Sequence, residues 1–167
     1  MQHVTQDATQ THDHPDVILF PPLILAATLA LACILQALSP LGWLAGLDQL
    51  ARIPLGVVIA VVGVAFAGSG HRLLVRIGTN VSPLRPTTVL ATGGIYRWTR
   101  NPLYTGGTLI MLAIAFVFAL DWLLLLILPS VLVLHFGVVR REEVYLERKF
   151  GEAYRQYRSS VARYGVI

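Results

Sequence analysis

Four long runs without Asp, Glu, Lys or Arg constrain this chain more than any other feature. They are residues 17–38, 53–70, 102–119 and 122–139. A bilayer core takes about 20 apolar residues in a helix, at about 1.5 Å rise each, so every run is close to a span. Composition agrees: 55% of residues are hydrophobic, only 13% are charged and the mean hydropathy is +0.65. A soluble domain carries about 25% charged residues. The expected class is all-α and polytopic, with about four transmembrane helices, a polar loop and an amphipathic C-terminal helix. The pI near 9.6 invites a nucleic-acid partner. The basic residues, however, flank apolar runs and read as membrane-surface residues, so no nucleic acid is expected.

Residues 1–16 are polar, without Lys or Arg, and read as a flexible tail. A secretory signal would need a basic segment ahead of its apolar core. His12-Asp13-His14 is better read as part of that tail than as a metal site, and no metal is expected elsewhere. The single cysteine, Cys33, lies within an apolar run, which rules out an internal disulfide and reads as packing. Pro21 and Pro22 open the first run. Pro54 suits a first helical turn in the second, where Gly56, Gly63, Gly68 and Gly70 allow close helix approach.

The segment 71–100 is the longest polar stretch, and its glycines and prolines exclude one continuous helix. A loop of this length that leads straight into a helix start reads as functional. Asn101 is a suitable N-cap and Pro102 a suitable first helical residue. The first turn therefore offers free N–H groups beside Arg97 and Arg100, a setting for an anion. Residues 102–119 and 122–139 read as a tight hairpin broken at Leu120-Asp121, with Pro129 expected to kink its second arm. His135 is an intramembrane histidine and a functional candidate on that ground.

Beyond Arg140 the chain turns highly charged, with apolar residues at helical spacing from Leu146 to Val161. An amphipathic helix on the membrane face is expected, with a break at Gly151. Of thirteen Lys and Arg, five lie in residues 71–100 and seven in 140–167. The positive-inside rule makes that side cytoplasmic, with both termini on it. The hairpin brings Arg97, Arg100, Asn101, Tyr104, His135, Arg140, Arg141, Glu142 and Glu143 together at this surface. Such a cluster suits either a solvated ion network or a zwitterionic ligand.

Several of these residues fall in a recognisable pattern. Thr79-Asn80-Val81, Gly94-x-Tyr-Arg-x-x-Arg-Asn-Pro-Leu-Tyr-x-Gly106, Glu142-Glu143 and Phe150-Gly151-Glu152-x-Tyr154-x-x-Tyr157 resemble the isoprenylcysteine carboxyl methyltransferase-like membrane proteins, which are similar in turn to phospholipid N-methyltransferases. The resemblance covers roughly residues 70–164. It implies a membrane methyltransferase that uses S-adenosylmethionine and takes a lipophilic acceptor from the bilayer. The cofactor site would be lined by Tyr96, Arg100, Asn101, Pro102, Tyr104, Gly106, His135, Arg140, Glu142 and Glu143. Glu142 and Glu143 would be the catalytic carboxylates. Carboxyl O-methylation is the expected chemistry, with amine or thiol acceptors as alternatives. Asn101 stands where many carboxyl methyltransferases of this kind have His, which leaves the acceptor open.

The expected division is a tail (1–16), two membrane helices (17–70), and a catalytic part made of loop, hairpin and C-terminal helix (71–167), all one structural domain. The competing function is a non-catalytic membrane binding or assembly protein with the same fold. A transporter is disfavoured by the scarcity of intramembrane ionisable residues and the lack of a repeat.

Overall fold

The computed structural model describes residues 13–165, and these form helices and loops with no strand among them. Helix α1 spans Pro21–Leu38, α2 Gln49–Arg76, α3 Pro102–Phe118 and α4 Asp121–Leu134. A π-helical turn, His135–Val139, joins α4 without a break to α5, Arg140–Phe150, and α6 follows over Glu152–Ser160. A short 3-10 turn, Gly94–Arg97, precedes α3.

Three stretches are long and apolar enough to cross a membrane: α1, α2 and the continuous helix Asp121–Phe150. At 17 residues α3 is shorter but equally apolar. It covers about 26 Å, near the thickness of a bilayer core. It lies antiparallel to α2, because the contacts pair Gly70 with Pro102, Gly63 with Gly106 and Gly56 with Ala113. The two backbones nearly touch. A Cβ on Gly106 would lie 2.6 Å from both the Ala67 nitrogen and the Gly63 oxygen. Small residues are what permit this approach where no hydrophobic force drives helices together. On the other side α1 packs against α4, around Ala32, Leu123 and Met111.

Several expectations change at the element ends. Helix α2 starts at Gln49, capped by the Asp48 carboxylate on the Leu50 N–H at 3.0 Å, and continues to Arg76. Pro54 therefore sits inside the helix rather than in its first turn, and the polar loop begins only after Arg76. The charged segment after Val139 is not one separate surface helix. Its first half continues α4, and the reversal comes at Gly151, whose φ of +54° favours glycine. The described irregularity in the hairpin's second arm is the π turn, about two to three turns beyond Pro129.

The N-terminal segment from Asp13 onward packs on the body of the molecule, unlike the free tail expected there. Lys149 pairs with Asp13 at 2.7 Å, the Arg141 guanidinium donates to the Asp16 carbonyl at 2.9 Å, and the Ile18 N–H donates to the Gly137 carbonyl at 3.1 Å. His12, part of the His-Asp-His sequence, lies outside the described residues.

Candidate functional site

The end of α2, the start of α3, the start of α5, α6 and residues 78–93 line a cleft that is partly open to solvent. The cleft is roofed by a loop that has no strand or helix yet is tied at every turn. Thr79, buried, accepts the N–H groups of Thr88 and Val89 on its hydroxyl at 3.0 and 3.3 Å. The Asn80 amide donates to the Pro86 carbonyl at 2.8 Å, and the Thr87 N–H donates to the Tyr145 hydroxyl at 3.0 Å. The expected loop is thus an ordered cover, and Thr79-Asn80 are what order it.

Seven residues expected at the site line this cleft: Tyr96, Arg100, Asn101, Pro102, Tyr104, Glu142 and Glu143. Three lie elsewhere. Gly106 faces α2, against Gly63 and Ala67. His135 makes a 2.9 Å hydrogen bond with the Tyr164 hydroxyl and an edge contact with Phe136. Arg140 lies over the Phe136 ring on the outer face of the long helix.

The two adjacent glutamates have different surroundings. Glu143 is buried and held from two sides. Arg163 donates two bonds to it, at 2.8 and 2.7 Å, and Arg100 lies 3.2 Å away. The Glu143 hydrogen bonds hold the Arg163 guanidinium above its usual pKa. Glu142 accepts one bond, from the Tyr104 hydroxyl at 3.0 Å. Among the described residues no cation pairs with it. Residues 142 and 143 leave a helix about 100° apart, which is why Glu143 also reaches Arg163 of the C-terminal segment while Glu142 meets Tyr104.

Arg100 pairs with Glu143 and also lines the cleft that Glu142 lines. Its side chain is 9% exposed, its Nη1 reaches the Tyr154 hydroxyl at 3.5 Å, and its Nε has no partner. Asn101 does not cap α3 with its side chain. Its amide donates to the Arg163 carbonyl at 3.2 Å, and its own N–H is taken by the Thr99 hydroxyl. The first-turn N–H groups of α3 are thereby left uncapped by Asn101, as at an anion-binding helix start.

Tyr96, Tyr154 and Tyr157 form the far wall, a cluster shared with Leu90, Leu103 and Leu146. Burial pushes the Tyr154 hydroxyl up to about 12, and the Glu143 charge adds to the rise. Burial likewise raises Tyr96 and Tyr157. All three remain protonated at neutral pH. The Tyr157 hydroxyl donates to the Tyr96 carbonyl at 2.7 Å, which fixes the 3-10 turn against α6.

Sequence reasoning missed Arg163 and Tyr145. Arg163 lies twenty positions from its partner Glu143 in a short terminal segment, and nothing in the local pattern marks it. Tyr145 looks like an ordinary apolar-face residue, yet its hydroxyl holds the roof loop and also donates to Asp13 at 3.1 Å.

Fold and cleft together define a helical membrane protein with a charged, tyrosine-lined site at one end of its bundle. Residues 51–153 match the phospholipid methyltransferase family, well over half of the chain, and the protein belongs to that family. It is therefore a membrane methyltransferase. The match begins within α2, earlier than the motifs at 70–164 suggest, and takes in the roof loop, α3 and both glutamates. Neither a curated protein nor a solved structure matches the chain.

Proposed function

We propose that the chain transfers a methyl group from S-adenosylmethionine to a lipophilic acceptor, with the cofactor held in the cleft beneath residues 78–93. One observation carries this reading. The cleft holds a carboxylate without a cation, Glu142, near a buried guanidinium with an unpartnered Nε, Arg100. An amino-acid group bearing both charges fits that pair. Glu142 takes the ammonium. Arg100 and the open first turn of α3 take the carboxylate. Tyr96, Tyr154 and Tyr157 with Leu90 and Leu103 offer flat and apolar surface to an aromatic base.

When bound, the cofactor supplies an electrophilic methyl on a sulfonium, a good leaving group. The chain's own task is alignment and dryness. An in-line displacement needs a near-attack distance of about 3–3.5 Å, and the roof loop limits the access of water. Glu143 is neutralised by Arg100 and Arg163, and Glu142 is engaged by the cofactor, so no base remains free beside the reaction. That supports an acceptor needing none, a carboxylate first and a thiolate second. An amine acceptor would draw Glu142 into proton removal instead.

The acceptor approaches from the bilayer side, because the loop and α6 cover the cleft from the polar side. We place that side in the cytoplasm, with both termini there, from the twelve basic residues that share it. A reporter fused after Ile167 should read cytoplasmic, and a periplasmic reading would reverse the orientation. For the reaction, the purified chain is incubated with methyl-labelled cofactor and a membrane extract. Label in a base-labile, organic-soluble product supports the proposal. Base-stable label on an amine lipid moves the chemistry to nitrogen, and label confined to water-soluble compounds overturns the lipophilic acceptor.

A further inference from the structure

The outer face of the long helix carries a second feature, outside the catalytic cleft. Leu125, Leu128, Leu132 and Phe136 lie along one exposed stripe, at helical spacing, each at least 44% exposed. The same stripe continues through Arg140, Val144 and Arg148, beyond the point where the apolar sequence ends. A concave site lies at the changeover, lined by Asp16, Phe136, Arg140, Arg141, Val144, Tyr145 and Arg148.

The arginines here differ from others nearby. Arg100, Arg155, Arg158 and Arg163 each pair with a glutamate. Among the described residues, Arg140, Arg141 and Arg148 pair with no carboxylate. Arg141 donates to the Asp16 carbonyl, and Arg140 lies 5.7 Å from the centre of the Phe136 ring. Arg140 and Arg148 are separated by about 12 Å along the helix, at 1.5 Å per residue. Two flexible guanidinium groups across that gap can meet over Val144 on a single phosphate.

We propose that this site holds the phosphate of an anionic membrane phospholipid, with an acyl chain laid along the Leu125–Phe136 stripe. Apolar stripe and unpaired cations fall in the order that one lipid molecule presents them, chain then headgroup. A soluble phosphate would use the arginines and ignore the stripe. The lipid is a bound ligand and not the methyl acceptor, because its site and the cleft that holds Glu142 share one lining residue, Tyr145, and otherwise draw on different faces of α5. The proposal does not depend on the methyltransferase reading.

The test is native mass spectrometry of the full chain in detergent, with phosphatidylglycerol or phosphatidylcholine of the same acyl chains. One phosphatidylglycerol should be retained per chain, in preference to phosphatidylcholine. A variant with R140Q and R148Q should bind it about 30-fold more weakly, from two basic groups lost at the surface. R155Q, which removes a paired arginine on α6, should bind like the parent. R148Q alone should give an intermediate loss if the double variant does not fold. Equal retention of both lipids would overturn the proposal, as would unchanged binding in the folded variants. Displacement by millimolar inorganic phosphate would reassign the site to a soluble anion. Methyl label on the retained lipid would show that it is the acceptor after all.

Discussion

The two ends of the helical bundle treat their buried charges in opposite ways. At one end Asp121, fully buried at the start of α4, accepts the N–H groups of Gly42 and Leu44 at 2.8 and 2.7 Å and the Gln36 amide at 3.4 Å. Arg52, inside α2, donates to the carbonyls of Phe116 and Val117 where α3 ends. Those charges are spent on the chain's own backbone, and they tie residues 39–48 and the α3 terminus in place. At the other end Glu142 accepts one phenolic hydrogen bond and lines a cleft. Arg52 also leaves its Nε unpartnered, just as Arg100 does. An orphaned nitrogen therefore does not mark a site by itself. Arg100 differs because its surroundings are a cleft with a cation-free carboxylate and three tyrosines.

The largest effect is expected at the closed end. Asp121→Ala leaves the buried Leu44 N–H and the part-buried Gly42 N–H without their acceptor and should cost about 2–4 kcal/mol. It should lower the unfolding temperature in detergent while the folded fraction binds cofactor normally. A parental unfolding temperature would show that Asp121 is not the tie it looks like. Gly106→Ala comes next, at about 1–3 kcal/mol, because the added methyl meets the α2 backbone and must push two helices apart. Parental stability with lost cofactor binding would instead return Gly106 to the ligand site, where the sequence motif had put it.

Smaller changes sharpen the open end. Tyr104→Phe removes the donor that orients Glu142. It should weaken cofactor binding by about 1 kcal/mol, roughly fivefold, with little change in stability. The smallest effect concerns the N-terminal segment. The Lys149 hydrogen bond holds the Asp13 carboxyl below its usual value. A carboxyl lowered on docking favours the docked segment above its undocked pKa, and that help is lost as the pH falls through the docked value. A spin label at His14→Cys, with Cys33→Ala, should be immobile at neutral pH and gain motion only below the ordinary carboxylate range. Asp13→Asn should gain that motion at neutral pH.

The sequence made the bundle legible because uncharged runs of bilayer length admit few readings. It also made the meeting of Arg100, Tyr104 and Glu142 legible, since the two arms of a hairpin return to the same level. Three things were hidden, each for a physical reason. The ends of α2 were hidden because Arg72 and Arg76 mark polarity, and polarity does not stop a helix. The role of Gly106 was hidden because a glycine inside a motif looks the same whether it faces a ligand or a neighbouring backbone. That Glu142 and Glu143 differ follows from helix geometry, but which one is tied up was hidden because it turns on Arg163, whose return to the cluster depends on the reversal at Gly151.

The central claim is that Glu142 holds a ligand cation while Glu143 holds the protein together. The direct measurement is calorimetric titration of S-adenosylmethionine into the parent, Glu142→Gln and Glu143→Gln, each with its unfolding temperature. Glu142→Gln should fold like the parent and lose about 1.5–3 kcal/mol of binding, roughly 10- to 150-fold, as a charge-assisted bond to the ammonium is removed. Glu143→Gln should lose stability of a similar size, about 1.5–3 kcal/mol, with Arg100 and Arg163 left short of their partner. Its remaining folded fraction should still bind. Parental affinity in Glu142→Gln, on protein that melts like the parent, would contradict the account.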